Sequence, residues 1–385
     1  MRPAHPLTRR LLLVLAAGAL LAGGVVYASS DEADPPAAAP ATPPVPQPSI
    51  AAAERPDACA SVIGRLTPRQ RLAQLVVVGV DASDPRGTAD LVSAEQIGGI
   101  FLGGNATALL QNKALDQVQQ AARLPVSVAV DDEGGRVQRI DDLDGEMPSA
   151  RKMAATMTPG QVRELARQRG QEMAARGVTV DYAPVLDLTD APADEVIGDR
   201  SFSADPQTAR RYAQAFAAGL ADSGVQPVLK HFPGHGHATG DSHKGSVTTP
   251  PLSTLRGNDL VPYRDIAGFG SAAVMVGHLE VPGLTEGEPA SLSPAAYQLL
   301  RGEFSFTGPI LTDDLGAMKA ITQRYPLPQA VVKALQAGAD EALWSSGGRV
   351  GPVLDAMEKA TADGTLSAGR VNDALTAVLR AKHAC

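Results

Sequence analysis

The residues best suited to chemistry crowd into one stretch, KHFPGHGHATGDSH, from Lys230 to His243. It holds four of the chain's seven histidines, His231, His235, His237 and His243, together with Asp241. Asp241 and His243 are two positions apart, so in an extended segment both side chains point to one side. The carboxylate can then orient the imidazole through one ring nitrogen and leave the other to exchange a proton. An imidazole with an ordinary pKa of about 6.5 can act first as acid and then as base. Metal binding by His235, His237, Asp241 and His243 is a second chemistry open to these residues, although the helix-borne or cysteine-paired spacings of zinc sites are missing. A solvated polar turn is a third. Gly234, Gly236, Gly240 and Gly245 make the segment permissive, as a lid would be.

Other charged groups follow short apolar runs. Asp131 opens DDEGGRVQR, Asp187 precedes Asp199 and Arg200 in VIGDRSF, His278 and Glu280 end a sixth run, and Asp313 and Asp314 end PILTDD. A carboxylate placed after an apolar strand with cations nearby stays ionised, which suits Asp313 to a nucleophile's role. Asp314 is expected to cap the helix beginning LGAMKAI.

The elements that must position these groups are eight apolar runs, at 75–80, 99–104, 126–131, 178–184, 225–233, 272–280, 308–314 and 341–346. Helical patterns over 108–123, 158–177, 205–224 and 329–338 separate several of them, and a last helix, 366–385, is expected to follow the eighth run directly. Runs that are apolar throughout and alternate with helices imply a parallel sheet buried on both faces. Eight units predict a closed (β/α)8 barrel in one domain, with a doubly wound open sheet as the alternative. In such a barrel the active site forms at the C-terminal strand ends. Polar groups from five strands converge there.

Composition narrows the partners. A net charge of -8 without a basic run outside the N-terminus gives nothing to attract phosphate backbones, so nucleic acid is excluded. Aromatics are 4% of residues, too few to stack a long polymer, which favours a small or chain-end ligand. Residues 1–28 carry Arg9, Arg10 and an apolar run ending at Ala28, the pattern of an export signal. An uncleaved membrane anchor is the competing reading, the one case in which membrane contact is expected. Residues 29–56 are rich in Pro and Ala and read as a disordered linker before the domain at 57–385. In an exported chain Cys59 and Cys385 suggest one disulfide, and barrel closure brings the two ends together; two free thiols are the alternative. No cofactor is expected, and a monomer is.

KHFPGHG followed by DSH, with DDEGGRVQR, VIGDRSF and LTDDLGAM in that set of strand ends, resembles the family 3 glycoside hydrolases. Within them it resembles the single-domain β-N-acetylhexosaminidases of the NagZ type, over about residues 60 to 385. The resemblance implies a (β/α)8 barrel and retaining exo-hydrolysis of terminal β-linked N-acetylglucosamine through a glycosyl-enzyme. It implies Asp313 as nucleophile and His243 as acid/base assisted by Asp241. Asp131, Arg139, Arg200, Lys230 and His231 would hold the sugar hydroxyls and acetamido group. The substrate would be a small glycoside or a cell-wall fragment. A phosphorylase, a β-glucosidase and a non-catalytic wall-binding protein are the alternatives. His237 stands where the family pattern has an acidic residue, and DDEGG replaces DQEGG or DHEGG.

Overall fold

The computed structural model describes residues 58–385, so the expected signal segment at 1–28 and linker at 29–56 lie outside the described residues. All eight apolar runs form strands: β1 Val76–Val80, β2 Gly99–Leu102, β3 Ser127–Val130, β4 Val180–Asp181, β5 Gln226–Phe232, β6 Ala273–Val276, β7 Ile310–Thr312 and β8 Ala342–Trp344. They pair in parallel in the order β7-β6-β5-β4-β3-β2-β1-β8. A parallel bridge between Leu311 and Glu341, with Thr312 N–H donating to Glu341 O at 3.1 Å, closes β7 onto β8. The closed barrel displaces the open doubly wound sheet as the architecture.

Period-two alternation divides the core. Val77, Phe101, Ala129, Tyr182, Val228, Met275, Leu311 and Leu343 fill the barrel interior. Their sequence neighbours, such as Val76, Val78, Ile100 and Val128, face the helices. Phe101 and Tyr182 stack across the interior with centroids 5.4 Å apart, forming a solid floor beneath the C-terminal strand ends. Strand β4 is short because Pro184 carries no N–H for the ladder, and pairing resumes only as a bridge from Val185 to Lys230.

The helices begin where the sequence supplies caps. Thr158 and Gln161 form a capping box ahead of the helix Pro159–Ala175, and Asp205 accepts the Thr208 N–H at 2.8 Å before the helix Pro206–Asp222. Two expectations fail. The pattern over 108–123 gives a 3-10 turn at Ala108–Leu110 and becomes α-helix only over Ala114–Ala121, because Asn112 and Lys113 adopt positive φ. The last helix does not follow β8 directly: Val350–Ala362 completes the eighth strand-helix unit, and Ala368–Ala381 is an additional helix. Val350, Val353, Leu354 and Met357 carry the helical spacing. Gly351 and Pro352 disguise it as a break, although proline is tolerated in a helix's first turn.

The helix Ala58–Gly64 lies against that last helix, and Cys59 and Cys385 form a disulfide with Cα atoms 4.9 Å apart. The bridge joins residues 326 apart in sequence, so it restricts the unfolded chain strongly. Reduction is expected to remove about 2–5 kcal/mol of stability. Thermal unfolding with and without dithiothreitol measures this, and an unchanged midpoint would contradict it. Among the described residues no helix is long and apolar enough to cross a membrane.

Candidate active site

A cavity of about 500 Å³ opens at the C-terminal strand ends. Asp131 and Arg139 reach it from the loop after β3, Arg200 from the segment after β4, Lys230, His231 and His243 from β5 and its loop, and Asp313 from the end of β7. Val80, Phe101, Tyr182, Met275 and Leu343 close its base. A larger groove of about 1480 Å³ lies at the opposite strand ends. Its buried carboxylate, Asp340, is already committed to Arg301 and Arg370, so it is the smaller cavity that gathers free catalytic groups.

Asp313 is buried, and its Oδ1 accepts the Asp314 N–H at 2.8 Å. Burial alone would raise its carboxyl, but His278, His231, that N–H and Lys230 hold it below the usual carboxylate range. His278 is itself depressed by burial, so its share fades towards neutral pH, while the Lys230 ammonium and the N–H persist. Asp314 departs from the expected cap of the LGAMKAI helix. Its Oδ1 accepts from Gly316, Ala317 and Ser345 N–H groups at 2.8, 3.1 and 3.0 Å, and the helix starts only at Lys319. It caps a turn and ties β7 to β8.

Lys230 is buried between Asp131 and Glu133. Burial would depress its ammonium, but the two carboxylates outweigh that and raise it. Glu133 in turn forks onto Arg200 at 2.7 and 2.8 Å, and Arg200 and Lys230 overcome burial to hold its carboxyl far below the ordinary range. The sequence reading missed Glu133 as a site residue. Its signal was its place two positions after Asp131, on the same side of an extended segment.

Asp187 is a second missed organiser. Its Oδ2 lies 2.7 Å from His231 Nδ1, and its Oδ1 accepts the His231 and His235 N–H groups at 3.3 and 2.7 Å. An acceptor at Nδ1 fixes the proton there and leaves Nε2 for the cavity. His235 is buried and lines the cavity, and its ring is depressed by burial. His237 turns away to Asp259, 2.8 Å from Nδ1 to Oδ1. His237 thus meets a carboxylate 22 positions further along the chain.

Asp241 and His243 do meet, through a different local structure from the extended one expected. Lys244 and Gly245 N–H groups close a turn on the Asp241 carbonyl at 2.8 and 3.0 Å. Asp241 Oδ1 then accepts the His243 N–H and lies against His243 Nδ1, both at 3.0 Å. Although partial burial opposes it, the His243 and Lys244 contacts lower the Asp241 carboxyl. The His243 ring is 63% exposed, at the cavity mouth, with Nε2 unengaged by Asp241. Two glycines are required here. A Cβ on Gly236 would stand 2.0 Å from Leu188 O, and Gly240 takes φ +105. Ser242 O accepts the Ala320 N–H at 3.0 Å and pins the turn over the cavity.

Of the four metal-candidate residues, Asp241 and His243 meet each other, while His237 turns to Asp259 and His235 is tied through its N–H to Asp187. Among the described residues no group of three or more His, Cys, Asp or Glu is arranged to hold a metal ion. Asp199 pairs with Arg136 at 3.0 Å, Glu280 pairs with Arg324, and His278 lies behind Asp313 with Nε2 2.9 Å from Asp314 O, so these three strand-end groups do not line the cavity.

A parallel barrel with an ionised, buried carboxylate facing an imidazole-carboxylate pair has the parts of a glycoside hydrolase site. Residues 67–381 match the family described as Glycosyl hydrolase family 3 N terminal domain, and the chain belongs to that family. It is 49% identical over 355 residues, 89% of each chain, to "Beta-hexosaminidase LpqI" of Mycobacterium tuberculosis. A solved structure of a GH3 family glycosyl hydrolase from Mycobacterium smegmatis is 52% identical, with a TM-score of 0.80, over 83% of this chain and 98% of that one. The beta-N-acetylhexosaminidase from Beutenbergia cavernae is 31% identical, with a TM-score of 0.75, over 83% and 99%.

Proposed function

We propose that the chain is a retaining exo-β-N-acetylglucosaminidase that removes terminal β-linked N-acetylglucosamine from small glycosides such as peptidoglycan fragments. The observation that carries this is Asp313, buried and held ionised, sharing one cavity with His243 and its partner Asp241. The relatives named beta-hexosaminidase support the choice of sugar. Asp313 attacks the anomeric carbon while the His243 imidazolium gives its Nε2 proton to the departing oxygen. Neutral His243 next takes a proton from water, which attacks the same carbon and releases Asp313. Asp131, Arg139, Arg200, Lys230 and His231 hold the sugar, and contacts that tighten as charge develops at the ring lower the barrier.

Most retaining glycosidases place two carboxyl groups about 5 Å apart and must keep one of them protonated. A histidine acid avoids this requirement, since imidazolium and carboxylate attract. Export by the segment 1–28, a spacer at 29–56 and action as a monomer outside the cytoplasm complete the proposal.

Purified protein is expected to favour 4-nitrophenyl β-N-acetylglucosaminide over the β-glucoside by at least about tenfold, the worth of one or two buried hydrogen bonds. Equal rates would contradict acetamido recognition, and no turnover of either would leave a binding protein. A sugar 1-phosphate formed when phosphate is added would replace hydrolysis with phosphorolysis.

A further inference from the structure

The loop carrying Asp131, Glu133 and Arg139 is held from behind by charged groups that never reach the cavity. Asp132 is fully buried, and its N–H donates to Asp181 Oδ1 on β4 at 2.9 Å. Its own Oδ1 accepts the Arg139 N–H at 3.1 Å, while Oδ2 lies 3.4 Å from Arg169 Nε. Arg169 belongs to the helix Pro159–Ala175, where it interrupts the buried face of Val162, Ala166 and Met173 with a guanidinium only 2% exposed. From there it also donates to Gln138 Oε1 at 3.3 Å and to Gly145 O. Gln138 finishes the knot, giving its amide to Gly135 O at 2.7 Å and accepting the Met147 N–H at 2.6 Å.

A buried guanidinium in an apolar helix face is expensive unless a buried anion meets it. That anion is Asp132, whose carboxylate is itself fully buried beside the guanidinium. We propose that Asp132, with Arg169 and Gln138, forms a clamp that sets Asp131, Glu133 and Arg139 for the sugar, making Asp132 a positioning residue for substrate binding. This rests on the β-N-acetylglucosaminidase reading of the cavity.

The charged groups facing Asp132 are Arg169, backed by Glu172 at 3.4 Å, then Asp181 from β4 and Asp131 and Asp141 from its own loop. Burial pushes the Asp181 carboxyl well above its ordinary value, leaving Asp132 as the anion for Arg169. Burial also raises Asp132, to about 6, against the pull of Arg169 and the Arg139 N–H. The sign follows: above about 6 Asp132 is charged and the clamp is intact, and as pH falls through that value it takes a proton and the ion pair is lost.

Calorimetric titration of N-acetylglucosamine from about pH 5 to 8, on wild type and Asp132→Asn, tests this. Wild-type affinity is expected to weaken by about tenfold on the acid side, with a midpoint near 6. The variant is expected to show the weaker affinity throughout and no such step. At neutral pH its KM for the chromogenic substrate rises by the same factor with kcat within about threefold. A pH-independent wild-type affinity, a step that persists in the variant, or a fall confined to kcat overturns the proposal. If the variant does not fold, carboxyl carbon NMR of the wild type reads the Asp132 titration directly, and an Asp132 resonance that does not move with the affinity step overturns the proposal. Failure of the wild type to turn over the substrate would defeat the hydrolase reading separately, since the titration reads binding without turnover.

Discussion

Asp313→Ala is expected to lower kcat on 4-nitrophenyl β-N-acetylglucosaminide by about 10⁴-fold or more, with the unfolding transition retained. No other carboxylate in the cavity is free to replace it. Asp314 accepts from the Gly316, Ala317 and Ser345 N–H groups, Asp131 is paired with Lys230, and Glu133, outside the cavity lining, is shared between Lys230 and Arg200. The fold is expected to survive because Lys230 keeps both of these anions when Asp313 is lost. The loss falls on kcat, since sugar-binding groups remain while the group that bonds to the anomeric carbon is gone. A variant that kept more than about a tenth of wild-type kcat would show that another group attacks. Because the Asp313 carboxyl lies below the ordinary carboxylate range, its protonation lies further into acid than that of an unperturbed aspartate.

The second large effect belongs to His243. His243→Ala is expected to cost about 10²- to 10⁴-fold on substrates whose leaving alcohol needs a proton, and much less in the first step on 4-nitrophenyl substrates, whose anion leaves unaided. Water must still be activated without the imidazole, so glycosyl-enzyme accumulates and a burst of nitrophenolate precedes a slow steady state. Pre-steady-state kinetics on both substrate types measures this. Equal losses on both, with no burst, would remove His243 from the acid/base role. Asp241→Asn tests orientation separately: the turn's Oδ1 contacts with the His243 N–H and ring can persist while the charge disappears, so a smaller loss than for His243→Ala is expected.

The strands were legible because most are apolar throughout, as burial on both faces demands, and β3 to β7 end in or lead into charged or ionisable groups, whereas β2 and β8 run into glycine and serine. Asp131, Lys230, His231 and Asp313 could be assigned to one face for that reason alone. Less legible were residues whose meaning depends on partners distant in the chain. Glu133 meets Arg200 across 67 positions, and Asp187 meets His231 across 44. No local period records such pairs. Arg169 shows the same limit, since within its helix it reads as one charged interruption of an apolar face, and only β3's loop explains it. The Asp241–His243 pair was found by spacing, yet an Asx-type turn and not strand alternation brings the two together. The helix Val350–Ala362 was missed because Gly351 and Pro352 resemble a break when read without their position in the first turn.

Covalent trapping tests the central claim most directly. A 5-fluoro N-acetylglucosaminyl fluoride forms a glycosyl-enzyme that turns over slowly, and peptide mass spectrometry then locates the added sugar. One sugar per chain, on the peptide carrying Asp313 and absent from Asp313→Ala, is the result expected. A sugar attached to any other residue, or turnover of the reagent that releases the inverted anomer without a covalent species, would contradict the account.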